Sequence, residues 1–357
     1  MHIDAISKLG IEIEEVCQNI FDNELADIVP KYSCGSFIKA DDFPNKNHFS
    51  ANNEDNKDCP HSNKSTVEIA FIRAQLKTLK NSSITLKFPS VGATENLLLA
   101  STFSNVVIHI KNAAREPEIV ALQNFLNGIG AKITGAGTSH IIIHPCNIKG
   151  TDTDVMLKKN IYQFSIPSDR IECGTYILAG AICGGVLTFK SEAFENQYAL
   201  LSILKNSIEL EDLTNKKKIY FLQNKSISNV FVTTPYPGIA TDLQSPLSAF
   251  FCTVDGKNHI VESIFQNRVA HLDELIKMGA KISRYKNYFT IEGQTQLHGA
   301  KVTSNDLRGG AALILAGLGA IGTTEVIDNS YITRGYTNID LHLSQLGADI
   351  HKKQIDI

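Results

Sequence analysis

A short sequence motif that ends a repeated segment occurs three times, and it is the feature that most constrains the fold of this chain. In each copy an apolar residue precedes Gly-Ala, a polar residue and isoleucine, at residues 126–133, 275–282 and 343–350; residues 204–210 are a degenerate fourth copy. Glycine after an amphipathic helical pattern is typical of a helix C terminus with left-handed backbone. The sequence therefore predicts such glycines at Gly130, Gly279 and Gly347.

The spacing of these endings sets the size of the repeated unit. Gly279 and Gly347 are 68 residues apart, which is too long for a small solenoid repeat. Each unit contains a strand, a capped helix start, an Ala/Leu-rich helix, another strand, an amphipathic helix and further strands. The predicted fold class is therefore α/β, with repeated α/β units, and residues 1–16 hold the end of one more unit.

Residues 18–66 interrupt this pattern. They are rich in Asn, Asp, Lys and Ser, with few aliphatic residues, and so predict a solvated, partly disordered insertion. Cys34, His48, Cys59 and His61 lie within it, but their spacing matches no common metal-ligand pattern, and exposed loop side chains are the preferred interpretation. Deletion of residues 20–64 is expected to leave folding nearly intact, because long polar insertions are tolerated.

Charge and cysteine content argue against several classes of protein. The net charge of −3 disfavours a nucleic-acid-binding surface. No apolar run approaches the roughly 20 residues of a membrane-spanning helix. The seven cysteines are scattered without paired spacing, and no signal peptide opens the chain. We therefore predict a cytoplasmic protein without nucleic-acid or membrane partners.

Two neighbouring turns carry the most specific motifs. Residues 84–88 alternate as a strand, Pro89 ends it, and Ser90 is placed to cap a helix. Gly92 lets a ligand approach the backbone, and a capped helix start with free N–H groups binds anions. After a second predicted strand, Glu116-Pro117-Glu118 opens another helix, with proline in its first turn and carboxylates at its positive end.

The sequences SVGATEN at residues 90–96 and NAAREPE at residues 112–118 resemble the UDP-N-acetylglucosamine 1-carboxyvinyltransferase family of enolpyruvyl transferases. The resemblance extends from about Val67 to the C terminus and includes the first few residues. It implies two inside-out α/β barrel-like domains of repeated units, with helices inside, sheets outside and substrates bound between the domains. On this basis residues 1–167 form an incomplete first domain, with the insertion at about 18–66, and residues 168–357 form the second.

Four predicted helix starts combine a capping residue with a functional neighbour. They begin near Ser90, at Asp169, within residues 236–244 and at Asp306. If the units stack alike, these N termini converge and create a positive field without a high net charge. Arginine, which grips carboxylate and phosphate through paired hydrogen bonds, lies in several of these turns. Simple helix capping is the alternative role for Asp242 and Asp306.

The resemblance implies transfer of enolpyruvyl from phosphoenolpyruvate to the 3-hydroxyl of UDP-N-acetylglucosamine, the first committed step of peptidoglycan synthesis. Such a reaction needs a base, a proton donor for the methylene carbon, and cations for carboxylate and phosphate. By motif position Asp242 matches the base and Asp306 a second active-site carboxylate. Arg308 and Arg334 match residues that hold the phosphoenolpyruvate-derived group, with Arg268 close to them. The implied substrate contacts are Pro89, Ser90, Val91, Gly92, Arg170, Glu172, Thr241, Asp242 and Ile264, and neither a metal nor a cofactor is needed.

The family's early Lys-Asn pair and its loop with a proton-donating Cys or Asp have no match from Met1 onward, and Lys111-Asn112 belongs to the NAAREPE turn instead. Three explanations stay open: a start internal to a longer chain, a second polypeptide that supplies the missing N-terminal units, or a degenerate gene product. Residues 1–357 alone are expected to bind the nucleotide sugar weakly and not to turn over.

Two alternative functions remain. One is a non-catalytic nucleotide-sugar-binding homologue, or one half of a split enzyme. The other is 3-phosphoshikimate 1-carboxyvinyltransferase, which SVGATEN and the turn at residues 236–244 disfavour.

Overall fold

The computed structural model describes residues 5, 7–9, 11–21, 66–76, 83–146, 163–222 and 226–353, with only the backbone described in 11–21 and 66–76. Strand β1 (Ile11–Phe21) pairs antiparallel with β2 (Thr66–Leu76). The end of a unit predicted in residues 1–16 thus includes a strand, and this strand continues into the first residues of the predicted insertion. Residues 22–65, including the cysteines and histidines considered above as metal ligands, lie outside the described residues.

Contacts divide the chain into two units. Unit 1 comprises Met1–Ala113, Gly130–Gly135 and His140–Gly150, and unit 2 comprises Ala114–Ile129, Ala136–Ser139 and Thr151–Ile357. The domain boundary at residues 167 and 168 stays a prediction.

Unit 1 contains a four-stranded sheet in the order β3-β4-β6-β5. Its strands are β3 (Ser83–Thr85), β4 (Ile108–Lys111), β5 (Lys132–Thr134) and β6 (His140–His144). The pair β3–β4 is parallel and the other two pairs are antiparallel. Isoleucines alternate with polar residues along these strands, and they bury one face of the sheet. Helix α1 (Val91–Ser101) follows Ser90, whose predicted capping role is confirmed by a hydrogen bond from the Ala93 N–H to its hydroxyl at 3.4 Å.

Unit 2 begins with helix α2 (Pro117–Gly128) and contains a sheet of the same design as unit 1. Strands β10 (Val230–Val232), β11 (Lys257–Val261), β12 (Lys281–Tyr285) and β13 (Tyr288–Glu292) lie in the order β10-β11-β13-β12. The first pair is again parallel and the next two are antiparallel. The predicted repeat is therefore confirmed as one strand order present in both units.

The three glycines that defined the repeat have the backbone predicted for them. Their φ angles are +107° at Gly130, +96° at Gly279 and +101° at Gly347. These values lie in the left-handed region, which glycine adopts at no steric cost and other residues avoid. The sequence signal therefore reports helix ends correctly.

The core of unit 2 is built from helices. Helices α3 (Arg170–Cys183), α6 (Thr241–Thr253) and α8 (Leu307–Leu318) pack against one another, and 11 of the 13 residues of α6 are buried. A helix buried on nearly every side belongs to the interior of a domain. The strands of unit 2 are more exposed: β10 and β11 alternate between buried and less buried residues, and most residues of β7, β8 and β12 are exposed, so the expected arrangement of helices inside and sheets outside is present here.

The remaining elements of unit 2 complete this frame. Strands β7 (Gly185–Lys190), β8 (Ile208–Leu213) and β9 (Lys216–Phe221) form an antiparallel sheet, and β14 (Lys301–Ser304) pairs in parallel with β15 (Glu325–Asp328). The shorter helices are α4 (Ser191–Phe194), α5 (Tyr198–Leu204), α7 (Ala270–Lys277), α9 (Ile339–Gln345) and the 3₁₀ turn Ile332–Arg334. Within the described residues, no helix has both the length and the apolar surface to cross a bilayer.

Candidate active site

The first turn of α6 places Asp242 at the centre of the candidate site. One oxygen of its carboxylate, Oδ1, accepts a hydrogen bond from Arg268 Nη1 at 3.0 Å and another from Arg308 Nε at 3.2 Å. Ala240 precedes the helix as its N-cap, and no side chain caps this helix start. The alternative in which Asp242 is a simple capping residue is therefore wrong, because its oxygen binds two arginines instead.

Asp306 does cap its helix. Its Oδ1 accepts from the backbone N–H of Arg308 at 2.9 Å and of Gly309 at 2.8 Å, so it fixes the first turn of α8. The capping alternative is confirmed for this residue, and the carboxylate acts on the site by holding the backbone that carries Arg308. Asp169 caps α3 in the same way, through the N–H groups of Ile171 and Glu172.

Arg308 is held in a largely buried position. Its guanidinium lies 5.3 Å above the ring of Tyr336, and its side chain is 13% exposed. Burial would lower the pKa of Arg308, but Tyr336 and Asp242 outweigh burial and raise that pKa above its ordinary value. Among the described residues no partner binds its buried Nη1. An unpartnered buried donor costs about 1–3 kcal/mol, and an acceptor that reached this nitrogen would recover that free energy.

Tyr336 supports Arg308 from below. The tyrosine is fully buried, and its hydroxyl lies 3.0 Å from the Thr175 hydroxyl. Because Thr175 already donates its proton to the Ile171 carbonyl at 2.9 Å, Tyr336 must be the donor in this pair. Tyr336 stands two residues after Arg334 in the sequence, but it was not predicted as a site residue.

Arg268 is fixed by three contacts. Its Nη1 donates to Asp242 and also to the Thr241 hydroxyl at 3.1 Å, and its guanidinium lies 4.7 Å above the Phe265 ring. Two arginines thus share one carboxylate, and the cluster keeps a net positive charge. Such a cluster attracts an anionic ligand even though the whole chain is slightly acidic.

Ile264 lies in the segment that leads from β11 to Arg268. Its backbone N–H donates to the carboxylate of Glu262 at 2.9 Å, as does the N–H of Phe265. Glu262 was not predicted as a site residue; its one sequence signal is a carboxylate directly after a strand with a buried face.

Arg334 ends the 3₁₀ turn and is exposed. None of the hydrogen bonds or ion pairs found within residues 163–222 and 226–353 joins its side chain to Asp242, so the structure does not bring it into the central cluster. Its role in the site stays a prediction.

Arg170 and Glu172 lie at the start of α3, and none of the hydrogen bonds or ion pairs found among the described residues joins either of them to Asp242. Arg170 Nε donates to both oxygens of Glu118, at 3.0 and 3.4 Å, and its guanidinium lies 5.8 Å above the Tyr236 ring. Glu172 is half-buried, and burial, with Asp169 nearby, raises its pKa. The partner of Arg170 here is thus a carboxylate of α2, and its contact with substrate stays a prediction.

A small cavity lies beside the same residues. It is lined by Arg170, Tyr236, Ile239, Leu243 and their neighbours, and its volume is ≈ 20 Å³. That volume suits one water molecule and is far below that of a ligand pocket. We therefore do not identify it as a substrate site.

The predicted nucleotide-binding turn belongs to unit 1. Its residues are all partly exposed at the start of α1, and they comprise Pro89, Ser90, Val91 and Gly92. The N–H of Ala93 is bound by Ser90, while Thr94 donates its hydroxyl to the Ser90 carbonyl at 2.8 Å. The first N–H groups of a helix have no partner within the helix, and such helix starts bind anions.

The described cysteines offer no activated nucleophile in the core. Burial raises the pKa of Cys173 to about 12 and that of Cys252 to about 12, so both are protonated thiols at neutral pH. Within the described ranges, no three or more His, Cys, Asp or Glu side chains are grouped to hold a metal ion.

Comparisons with known proteins place these residues in one family. The sequence profile of the family EPSP synthase (3-phosphoshikimate 1-carboxyvinyltransferase) matches residues 59–343. The chain is 41% identical over 281 residues to UDP-N-acetylglucosamine 1-carboxyvinyltransferase 2 of Caldanaerobacter subterraneus subsp. tengcongensis. This alignment covers 78% of this chain and 65% of that protein. The chain is also 41% identical over 288 residues to UDP-N-acetylglucosamine 1-carboxyvinyltransferase of Halothermothrix orenii, covering 80% and 66%. The chain thus spans about two thirds of the length of these relatives.

Two solved structures share the fold. The enolpyruvyl transferase NikO from Streptomyces tendae superposes with a TM-score of 0.68 at 21% identity, over 78% of this chain and 67% of that one. EPSP synthase from Acinetobacter baumannii superposes with a TM-score of 0.55 at 16% identity, over 82% and 68%. At these identities the likeness concerns the fold, and it confirms the predicted α/β class.

Proposed function

Because the chain belongs to the enolpyruvyl transferase family, we propose that it takes part in the transfer of enolpyruvyl from phosphoenolpyruvate to the 3-hydroxyl of UDP-N-acetylglucosamine, in the cytoplasm and as a step of peptidoglycan synthesis. The observation that carries the proposal is the Asp242 carboxylate, because one of its two oxygens binds both Arg268 and Arg308. A base and two anion-binding cations in contact are what this reaction requires.

The nucleotide-sugar reaction is favoured over the shikimate reaction by the degree of similarity. Relatives named UDP-N-acetylglucosamine 1-carboxyvinyltransferase are 41% identical to the chain. The EPSP synthase of known structure is 16% identical. We therefore propose UDP-N-acetylglucosamine, the substrate in the names of the 41% identical relatives, as the substrate.

In this proposal Asp242 takes the proton of the sugar hydroxyl. Its side chain is 34% exposed, so a ligand reaches it. Both arginines donate to Oδ1, so the other carboxylate oxygen, to which neither of them donates, accepts the hydroxyl proton in this proposal.

Arg308 supplies the anion contact most directly. Its Nη1 is buried and has no partner among the described residues, while Nε is held by Asp242 and the backbone is fixed by Asp306. A donor fixed in advance stabilises developing negative charge without reorganisation during the reaction. Arg334, which is exposed, is proposed as the second contact to the same group.

The test combines binding and turnover. Titration calorimetry measures binding of UDP-N-acetylglucosamine, and phosphate release from phosphoenolpyruvate measures transfer, for the unmodified chain and for Asp242→Asn. The matched control is Asp273→Asn, because Asp273 on α7 forms an exposed ion pair with Arg284 on β12. Phosphate release that needs the nucleotide sugar and is lost only in Asp242→Asn supports the proposal.

Other outcomes separate the alternatives. Binding of the nucleotide sugar without phosphate release is the outcome expected for residues 1–357 alone, and it would favour the non-catalytic homologue or one half of a split enzyme. Phosphate release that needs shikimate 3-phosphate would favour the shikimate enzyme. The absence of both nucleotide-sugar binding and phosphate release would refute the proposed function for this chain.

A further inference from the structure

Glu262 is a buried carboxylate that the reaction described above does not use. It follows β11 directly and is 0% exposed. Within residues 163–222 and 226–353, no Lys, Arg or His forms an ion pair with it. A buried charge without a cation partner is costly unless hydrogen bonds satisfy it, so its retention requires an explanation.

Four donors converge on this carboxylate. Oε1 accepts from the Thr233 hydroxyl at 2.8 Å and from the N–H groups of Ile264 and Phe265, each at 2.9 Å. Oε2 accepts from the Thr241 hydroxyl at 3.0 Å. An ionised carboxylate accommodates four donors, and hydrogen bonds to a charged acceptor are the strong ones. Glu262 thereby ties together the end of β10, the segment after β11 and the first turn of α6.

The Thr241 hydroxyl links Glu262 to Arg268 through two hydrogen bonds. A hydroxyl has one proton, and Thr241 gives it to Glu262, so its lone pairs face Arg268 Nη1 at 3.1 Å. The same Nη1 reaches Asp242 Oδ1 at 3.0 Å. A series of bonds thus runs from Glu262 through Thr241 and Arg268 to Asp242.

We propose that Glu262 is a positioning residue, which touches no substrate and which sets Arg268 and the Ile264 segment in the geometry that binds the anionic ligand. The identity of that ligand, a nucleotide sugar, rests on the proposed function. Replacement by glutamine keeps the size but puts an amide N–H₂ among donors. Whichever oxygen it replaces, at least one of the four bonds becomes donor against donor. The series of bonds to Arg268 is then broken or reversed.

The control residue is Glu274, a second buried carboxylate of unit 2. It is 7% exposed and accepts from the Thr303 N–H at 3.0 Å and from Lys277. Glu274→Gln therefore removes a charge of the same kind on α7, with no bond to Thr241 or to the Ile264 segment. A merely structural effect of losing a buried carboxylate is expected to appear in both variants as a lower unfolding midpoint.

The decisive measurement is the affinity for UDP-N-acetylglucosamine, by calorimetry, in Glu262→Gln, Arg268→Lys and the double variant. We expect Glu262→Gln to weaken binding by about tenfold or more, and Glu274→Gln to stay within about twofold of the unmodified protein. Because Glu262 acts in part through Arg268, the double variant should bind more tightly than the product of the two single effects predicts. The proposal is overturned if the affinity of Glu262→Gln is within twofold of that of the unmodified protein. It is also overturned if the loss of affinity in the double variant equals the product of the losses in the two single variants.

A second measurement needs no ligand and separates this proposal from the proposed function. Amide hydrogen exchange in the absence of ligand should speed up in Glu262→Gln within residues 262–269 and 241–243, and should be unchanged there in Glu274→Gln. If the unmodified chain does not bind the nucleotide sugar, the proposed function fails while faster exchange in these two segments still supports the positioning role. Unchanged exchange in Glu262→Gln contradicts that role whatever the ligand is.

Discussion

His271, which lies beside the candidate site, makes the free energy of unfolding of the protein depend on pH. It lies on α7, is 2% exposed, and its ring nitrogens are each 3.4 Å from a serine hydroxyl of α6, Ser245 at Nδ1 and Ser248 at Nε2. Burial lowers the pKa of His271 to about 4; Asp306 opposes this effect and Arg268 adds to it. The imidazole is therefore neutral in the folded protein throughout the neutral and mildly acidic range.

The sign of the effect follows from proton binding. An unfolded histidine has a pKa near 6.5, so below that pH the unfolded chain gains a proton that the folded chain does not take up until about pH 4. The free energy of unfolding must fall as the pH falls from 6.5 towards 4. One proton is worth about 1.4 kcal/mol per pH unit, so the whole interval is worth about 3 kcal/mol for this residue.

Urea unfolding at several pH values between 7.5 and 4 tests this value. His271→Gln removes the titrating group, and its loss of stability across the interval should be smaller than that of the unmodified protein by about 3 kcal/mol. His351→Gln is the control, because the His351 side chain is 79% exposed, and its curve should run parallel to that of the unmodified protein. Parallel curves for His271→Gln and the unmodified protein would refute the reasoning.

Four further substitutions test the site and the core. Arg308→Ala should abolish enolpyruvyl transfer in a catalytically competent form, because loss of a buried charge contact costs about 2–5 kcal/mol. Arg334→Ala should abolish it as well, because Arg334 is proposed as the second contact to the anionic group; near-normal phosphate release by both variants would remove these residues from the anion site. Gly180→Ala should lower the free energy of unfolding by about 1–3 kcal/mol, since a Cβ there would stand 2.3 Å from a ring carbon of Phe221; Phe221→Leu in the same chain should recover part of the loss in urea titrations, and no recovery would contradict this packing explanation. Tyr336→Phe should cost about 1 kcal/mol of stability through loss of the bond to Thr175, and unchanged stability would show that this bond contributes nothing.

Much of the local structure could be predicted from the sequence. The glycine positions at 130, 279 and 347, the caps at Ser90, Asp169 and Asp306, and the repeated α/β order are all present. These features depend on residues within about one helical turn, or on a hydrophobic period, and a short window of sequence contains that information. The motifs also indicated the family before any coordinates were considered.

The partners of the charged residues were decided by the tertiary structure. Arg308 meets Asp242 across 66 residues, Arg170 meets Glu118 across 52, and Thr175 meets Tyr336 across 161. The sequence alone predicted the importance of Asp242 by motif and left capping open, while Glu262 and Tyr336 carried too little local signal to be recognised. Hydrogen bonds and ion pairs act over about 3–4 Å, and only the packing of elements distant in the chain brings these residues within that distance.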